Sequence, residues 1–257
     1  MVPAKVAAVL SLALFLGMLI FLEVGFRIGR RRISEKGEHC DAGIGVIEAA
    51  IFGLLGLLLA FSFAGGEARL GARRQLIVGE ANAIGTAYLR LDLLSDGEQH
   101  EMRRLFREYL DDRLQVYGKY ADDEARTATM ARVSQIQNEI WKRAVAASRQ
   151  DSSQNVGRLL LPALNEMIDI TTSREIALRT HLPPMIVALQ ITIALLSGVL
   201  AGFAMSKGKR NRMHELIFAI VISVTIYAVL DLDSPRSGLI RLDAADSTLQ
   251  KLRSSIQ

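Results

Sequence analysis

Apolar residues are concentrated in four long blocks, and charged segments separate these blocks. The blocks run from about Val6 to Phe26, Gly43 to Ala64, Pro184 to Met205 and Leu216 to Leu230. A helix needs roughly 20 apolar residues to cross a hydrocarbon core about 30 Å thick. The shorter fourth block reaches this length if its helix begins near His214 or if the bilayer thins locally. The pattern therefore predicts four membrane spans, numbered here one to four in chain order.

The first block also resembles the apolar part of a signal peptide, which is removed from the mature protein. Its apolar stretch is longer than the roughly 7 to 15 residues usual in a signal peptide, and no small-x-small cleavage pattern follows it. The block is followed instead by Arg27, Arg30, Arg31 and Arg32. We interpret it as a retained span.

Residues 66–182 separate spans two and three and contain no further block long enough to cross a membrane. Met102, Leu105, Phe106, Tyr109 and Leu110 recur at three- and four-residue steps, which is typical of an amphipathic helix. No run shows the period-2 alternation of a strand. The sequence thus predicts an all-α membrane protein with four transmembrane helices, some continuing unbroken out of the bilayer, and a helical extramembrane bundle between spans two and three. The predicted segments are 1–65 (spans one and two), 66–182 (insert), 183–232 (spans three and four) and 233–257 (C-terminal tail).

Composition supports a membrane location and excludes several function classes. The chain has 257 residues, of which 50% are hydrophobic, and a formal charge of +4. The insert contains 17 basic and 17 acidic residues, so it lacks the concentrated basic face of a nucleic-acid-binding protein. The single cysteine, Cys40, excludes an intramolecular disulfide and a four-cysteine zinc site.

Signals for an enzyme are weak. His214-Glu215 is not followed by a second histidine at metalloprotease spacing, and Gly65-Gly66 is not part of a phosphate-binding loop with lysine. We therefore predict a protein that is not an enzyme, with no catalytic residues, no metal centre and no cofactor.

Basic residues in the short loops predict the orientation. Arg27, Arg30, Arg31, Arg32 and Lys36 follow span one, and Lys207, Lys209, Arg210 and Arg212 lie between spans three and four. The positive-inside rule places both loops in the cytoplasm, and hence the N-terminus and the insert outside. Arg69, Arg73 and Arg74 after span two weaken this prediction, and long domains follow the rule poorly.

Span two contains the strongest candidate for a functional surface. Gly53, Leu57 and Phe61 follow one another at four-residue steps and share a face of the helix. Small residues on such a face permit close helix packing. An apolar ring of the same kind can also gate a pore by dewetting.

Charged residues near the ends of the spans are further candidates. Glu48 in span two lines an ion path or reaches the headgroups, and Glu23 in span one is one helical turn from Arg27, with which it is expected to pair. Arg69, Arg73 and Arg74 pair with other groups or, repeated by symmetry, attract anions to a pore mouth. The carboxylates of Asp231 and Asp233 bind a cation or pair with these arginines, and we favour pairing.

Two segments resemble a known family. The segment GLLGLLLAFSFAGGEARLGARR (Gly53 to Arg74) resembles the second span and following helix of bacterial bestrophin homologues, and the Asp-Leu-Asp-Ser-Pro segment from Asp231 resembles the end of their last span. With EANAIGTAYLRLDLL (Glu80 to Leu94), the wider pattern is similar to the bacterial bestrophin-like domain family.

The resemblance implies a homopentameric ion channel in the bacterial inner membrane, with span two lining the pore and Gly53, Leu57 and Phe61 forming its neck. It also implies a cytoplasmic insert, opposite to the charge rule. The acidic segment is shorter than in calcium-gated relatives, so calcium control is not expected. We predict passive conduction of small ions, with anions preferred. Its partners would be membrane lipids and further copies of the chain. The alternative is a non-conducting membrane sensor or scaffold that binds a ligand or partner protein through its insert.

Overall fold

The computed structural model describes residues 4–36, 44–118, 123–206, 210–234, 238–240 and 242–256. Within these ranges every regular element is helical and there is no strand, so the prediction of an all-α chain is confirmed. A 3-10 turn (Arg90–Leu93) and a π-helical turn (Val156–Leu160) interrupt the α-helices. The α-helices are α1 (Ala4–Lys36), α2 (Ile44–Leu89), α3 (Asp96–Gly118), α4 (Asp123–Gln150), α5 (Leu161–Arg179), α6 (Pro184–Met205), α7 (Arg212–Asp233) and α8 (Asp243–Ser255).

Four of the described helices, α1, α2, α6 and α7, contain stretches long and apolar enough to cross a membrane, as the sequence predicted. Helix α6 coincides with the predicted third span. Helix α7 begins at Arg212, before the predicted Leu216, because the Asn211 side chain accepts a hydrogen bond of 3.1 Å from the backbone N–H of Met213 and caps the helix. The fourth span is therefore a helix of 22 residues.

Helix α2 confirms that a span continues past its apolar block without a break. Its 46 residues continue from the second apolar block into the predicted insert. No proline interrupts it, and it ends only where the 3-10 turn at Arg90–Leu93 begins.

The chain divides into two compact units. The span unit comprises residues 1–70 and 181–240, and the insert unit comprises residues 71–180 and 241–257. In the span unit, buried apolar side chains of α1, α2, α6 and α7 form one core. It includes Leu14, Met18, Leu22, Leu55, Leu59, Ile193, Ala194, Ala219, Ile226 and Leu230.

Helices α1 and α6 approach each other closely at glycines. A Cβ atom added to Gly25 would overlap the backbone carbonyl of Val199, and one added to Gly202 would overlap the carbonyl of Leu22. Small residues allow this approach in a membrane, where dispersion contacts rather than the hydrophobic effect hold helices together. The α1–α6 crossing therefore requires glycine on both helices.

The insert unit has its own apolar core, and α3 supplies the predicted stripe. Met102, Phe106, Tyr109 and Leu110 are fully buried. A π-helical turn precedes α5, because Pro162 has no N–H to donate to the carbonyl of Arg158 and the N–H of Leu161 bonds to the carbonyl of Val156 instead.

Helix α8 lies in the segment that the sequence assigned to a C-terminal tail. Leu249 is fully buried, and the Arg253 guanidinium forms a two-pronged ion pair with Asp111 at 2.7 and 2.9 Å. The end of the chain is thus part of the insert unit.

Candidate pore helix and its polar anchors

The predicted neck residues of α2 lie on a face that no described part of the chain covers. Leu57 is 51% exposed and Phe61 is 67% exposed. A Cβ atom added to Gly53 would meet nothing within 4 Å. Successive four-residue steps rotate by about 40°, so the three positions form one narrow stripe along the helix. We call this stripe the neck face.

The opposite side of α2 is packed into the span unit. Leu55 is 2% exposed and Leu59 is 8% exposed, and both belong to the span core. The rings of Phe52 and Phe218 make an edge-to-face contact at 5.9 Å, an arrangement that aromatic pairs favour. One face of α2 is therefore fixed within the subunit while the neck face stays open.

A buried glutamine also fixes α2. Gln190 of α6 is 1% exposed, and its Nε2 donates to Ser62 Oγ at 2.6 Å and to the carbonyl of Leu58 at 3.2 Å. The Leu58 carbonyl is a backbone group of α2, and a carbonyl oxygen can accept two hydrogen bonds. The bond from Gln190 therefore joins α6 to α2 without interrupting the helix. Polar side chains between membrane helices hold them by such hydrogen bonds. Sequence reasoning missed this residue, although a glutamine inside an apolar block was a signal that could have found it.

Glu48 does not share the neck face. It is nine residues before Leu57, which places the two side chains about 180° apart around the helix. The side chain of Glu48 therefore points to the same side as Leu55 and Leu59, near the start of the helix. The structure does not bring Glu48 together with Gly53, Leu57 and Phe61.

The three predicted arginines have different surroundings. Arg69 Nε donates to Asp233 Oδ1 at 3.0 Å. Arg73 is 3% exposed, and its guanidinium donates to the carbonyls of Ala177 at 3.0 Å and Thr180 at 2.8 Å. Arg74 alone of the three is exposed. Arg69 and Arg73 therefore make intramolecular contacts, whereas the Arg74 side chain is open to solvent.

The carboxylate of Asp233 ties three parts of the span unit together. Besides Arg69, it accepts a hydrogen bond of 3.1 Å from the backbone N–H of Leu182, and its Oδ2 lies 3.3 Å from Nδ1 of His181. The pairing of an acid at the end of span four with an arginine after span two, which the sequence favoured, is confirmed for Asp233 and Arg69.

Asp231 has a different role. Its carboxylate accepts hydrogen bonds from the backbone N–H groups of Leu239 at 3.0 Å and Ile240 at 2.9 Å, and from the hydroxyl of Tyr227 at 3.4 Å. Gly238 lies so close that a Cβ atom there would overlap the carboxylate. Asp231 therefore holds the segment that follows α7. Pro235, the last residue of the Asp-Leu-Asp-Ser-Pro segment, lies outside the described residues.

No group of three or more potential metal ligands comes together among the described residues. The two acids at the end of α7 use their oxygens on an arginine, a histidine, a tyrosine and backbone N–H groups. These groups occupy the carboxylate oxygens that a bound cation would otherwise contact.

Glu23 forms the predicted interfacial salt bridge. Its carboxylate lies 2.7 Å from Nε of Arg27 and 2.7 Å from Nη1 of Arg210. The pair with Arg27 was expected from the spacing along one helix. The pair with Arg210 depends on the α1–α7 packing and was not readable from the sequence.

The insert unit contains an ionic cluster that connects α2, α3 and α5. Glu80 is completely buried, and it accepts hydrogen bonds from Nε of Arg113 at 2.5 Å and from Nη1 of Arg174. Burial alone would raise the pKa of the Glu80 carboxyl, but the two guanidiniums outweigh burial and hold that pKa below its ordinary value. Sequence reasoning noted Glu80 without its partners, which lie 33 and 94 residues away.

Comparisons with known proteins decide the family. The bestrophin-like domain family model matches residues 12–246 of the sequence. The chain belongs to the bestrophin-like domain family. Bestrophin-like proteins are known as ion channels, so membership confirms the predicted membrane character of this bestrophin-like chain and supports the channel prediction at that general level. The resemblance noted at Gly53 to Arg74 and after Asp231 pointed to the correct family.

Solved structures of a bacterial bestrophin homologue from Klebsiella pneumoniae are similar to this bestrophin-like chain. A tryptophan-to-alanine variant has 13% identity and a TM-score of 0.72, with 97% of each chain covered. An aspartate-to-alanine variant has 17% identity and a TM-score of 0.69, covering 95% of this chain and 98% of that one. An isoleucine-to-threonine variant has 14% identity and a TM-score of 0.67, covering 93% and 97%. At these identities the likeness shows the fold. No protein among the curated ones matches the sequence.

Proposed function

We propose that this bestrophin-like chain forms a homo-oligomeric channel in which the neck faces of several α2 helices surround a pore for small ions. The observation that carries the proposal is the asymmetry of α2. Leu55 and Leu59 are buried within the subunit, whereas Leu57 and Phe61 of the same apolar run are more than half exposed. Copies of the chain arranged around an axis would cover this stripe and form an apolar constriction.

Gly53 sets the shape of this constriction. With no side chain and open space around its Cβ position, it leaves the pore wider at that level than at Leu57 and Phe61. We therefore assign the gate to Leu57 and Phe61, and an easier passage to the level of Gly53. A pentamer is the assembly that the family resemblance implies.

Preference for anions is part of the proposal, and Arg74 supports it. Arg74 is exposed, and it lies beyond the apolar run, about 100° around the helix from Leu57 and about 140° from Phe61. An exposed guanidinium at the exit of the apolar run would raise the local concentration of anions. Arg69 and Arg73 contribute less, because they are held by Asp233 and by backbone carbonyls.

Flux from liposomes containing the purified chain tests the proposal. Chloride and sodium gradients are applied separately to wild type, Leu57→Ala and Phe61→Ala. Both variants should conduct faster, because removing apolar side chains widens the constriction and favours its wetting. Phe63→Ala is the matched control, since Phe63 is an exposed phenylalanine of the same helix that points about 160° away from Phe61.

The control variant should conduct like wild type. Equal changes in ion flux in Phe61→Ala and Phe63→Ala would argue against the neck face of α2 as the pore lining. A strictly monomeric protein in lipid would exclude the oligomeric pore. Arg74→Gln should reduce the ratio of chloride to sodium flux if Arg74 concentrates anions. An unchanged ratio would assign selectivity to other residues.

We further propose that the chain is a multi-pass protein of the bacterial inner membrane with its insert unit in the cytoplasm, as the family resemblance implies. A membrane-impermeant thiol reagent tests this with Ser153→Cys in a Cys40→Ser background, since Cys40 is the single native cysteine. Labelling only after the cells are opened supports a cytoplasmic insert. Labelling of intact spheroplasts would favour the orientation predicted by the charge rule.

A further inference from the structure

Six arginines gather at one end of the span unit. Four belong to α1 and follow its apolar run directly, and two precede or begin α7. We call this set the arginine cluster: Arg27, Arg30, Arg31, Arg32, Arg210 and Arg212. Lys207 and Lys209, which the sequence places in the same loop, lie outside the described residues.

Aromatic rings support several of these guanidiniums. The guanidinium of Arg210 lies 4.6 Å from the ring centroid of Phe26, and that of Arg30 lies 5.8 Å from the same ring. The guanidinium of Arg32 lies 6.0 Å from the ring centroid of Phe203. Such cation-π contacts hold a guanidinium in place while leaving its N–H groups free to bind an anion.

Acidic residues balance only part of the cluster. Glu23 pairs with Arg27 and Arg210, and Glu215 pairs with Arg210 at 2.8 Å. Among the carboxylates whose side chains the structure describes, none pairs with Arg30, Arg31, Arg32 or Arg212, and Glu35, one turn after Arg31, lies outside that set. The positive charge of these four side chains is therefore uncompensated within the described part of the subunit.

The helix dipole does not account for the cluster. Cations at a helix C-terminus are stabilised by the macrodipole within about the last turn. Helix α1 ends at Lys36, so Arg27 to Arg32 all precede that turn. Arg212 is at the N-terminal end of α7, where the dipole disfavours a cation. An external source of negative charge would stabilise these side chains.

The depth of the cluster identifies this source. Arg27 is 11 residues and Arg32 is 16 residues from the centre of the first apolar block, or roughly 16 and 24 Å along an upright helix. The headgroup layer of a bilayer lies roughly 15 to 22 Å from its midplane. On the lipid side of the same helix, Leu12, Leu16 and Ile20 are more than half exposed. Arg27 and Arg30 thus lie at the depth of the headgroup layer when these apolar side chains contact acyl chains, and Arg31 and Arg32 lie at its outer edge.

We propose that the arginine cluster binds the headgroup phosphates of anionic phospholipids, and that bound anionic lipid stabilises the span unit by neutralising Arg30, Arg31, Arg32 and Arg212. Guanidinium and phosphate form charge-assisted, two-pronged hydrogen bonds. The partner is a lipid of the surrounding leaflet rather than a soluble anion, because the cluster continues directly from a lipid-facing apolar surface. Binding should weaken as salt increases.

Native mass spectrometry of the full chain tests the proposal. The protein is taken from nanodiscs containing equal amounts of phosphatidylglycerol and phosphatidylcholine, and retained lipids are counted. Wild type should retain phosphatidylglycerol in preference to phosphatidylcholine. The triple variant Arg30→Gln, Arg31→Gln, Arg32→Gln should lose at least tenfold in phosphatidylglycerol affinity, from roughly a fivefold effect per basic residue near an anionic surface.

The matched control is Arg104→Gln, Arg149→Gln, Arg158→Gln, which removes the same charge from exposed positions of the insert unit. It should retain phosphatidylglycerol like wild type. An equal loss in both triple variants would mean that only net charge matters and would overturn the site.

Two measurements on wild type keep the test independent of the folding of the variant. Phosphatidylglycerol added to the protein in detergent should raise its thermal midpoint, and high salt should remove the increase. An increase of the same size with inorganic phosphate at equal charge would assign the cluster to soluble anions. No preference for phosphatidylglycerol over phosphatidylcholine in wild type would refute the proposal.

Discussion

Replacing Glu80 with glutamine is expected to destabilise the insert unit strongly. Glu80 is completely buried, and the side chains of Arg113 and Arg174 around it are 2% and 4% exposed. Glutamine has nearly the same shape as glutamate and keeps an acceptor oxygen. The substitution therefore tests the negative charge rather than the packing.

The expected loss is about 3 kcal/mol of unfolding free energy, the lower end of the roughly 3 to 5 kcal/mol measured when one partner of a buried ion pair is removed. The lower end applies because glutamine still accepts one hydrogen bond. The stability is also pH-dependent. The folded-state pKa of Glu80 is lowered, so its contribution is complete above the ordinary value of 4.5 and is lost as the pH falls through the lower folded value.

Equilibrium unfolding in urea, followed by the fluorescence of Trp141, measures this effect. Trp141 is the single tryptophan of the chain and lies in α4 of the insert unit. Glu101→Gln is the control, because it makes the same change in an exposed pair with Arg104 and should leave the transition in place. A Glu80→Gln transition within about 0.5 kcal/mol of wild type, a change ordinary for surface positions, would refute the reasoning.

Three further predictions concern the helix crossing, the end of α7 and the start of α5. Gly202→Ala should destabilise the protein in detergent by about 1 to 3 kcal/mol, because its Cβ would lie 2.8 Å from the carbonyl carbon of Leu22. Gly45→Ala, where the added Cβ meets open space, should be as stable as wild type, and equal thermal unfolding midpoints for the two variants would contradict this. Asp233→Asn should lower the unfolding free energy by about 2 to 3 kcal/mol in the same assay, since a charged acceptor for Arg69 is lost. A smaller decrease in Asp231→Asn than in Asp233→Asn would support the greater importance of the pair with Arg69. The hydroxyl of Ser153 and, to a smaller extent, the N–H of Val156 lower the pKa of Asp151, so acid should weaken the start of α5 as the pH falls below the ordinary value of 3.8. Hydrogen exchange at Leu160 should therefore accelerate in acid in wild type but not in Asp151→Asn, and the same acceleration in both proteins would contradict this.

The sequence predicted the spans well because the membrane imposes a length on each apolar block. The third block coincides with α6, and the unbroken run from Ile44 to Leu89 followed from the absence of proline. The start of α7 was placed four residues late, since the polar cap at Asn211 and the charged first turn lie outside the apolar pattern. Helix α8 was missed because it is short and polar, and its packing depends on Leu249 and Arg253 meeting distant partners.

Charged residues were predicted less well than apolar ones. Spacing along one helix was enough to pair Glu23 with Arg27. The partners of Glu80 come from two other helices, and those of Arg73 are backbone carbonyls about 100 residues away. No local pattern encodes such contacts. The sequence therefore identified which charges needed partners but could not show that Arg73 is buried while Arg74 is exposed.

The glycine contact between α1 and α6 has a consequence for how the chain is made. Gly25 and Gly202 are separated by roughly 180 residues, and synthesis at about 5 to 20 residues per second takes roughly 10 to 40 s to cover that distance. During this interval Gly25 has no α6 to pack against. Residues 71–180 are completed before α6 emerges. The contact between α1 and α6 can thus form only after the insert has been synthesised, and a substitution at Gly202 acts on a chain whose first five helices have already been made.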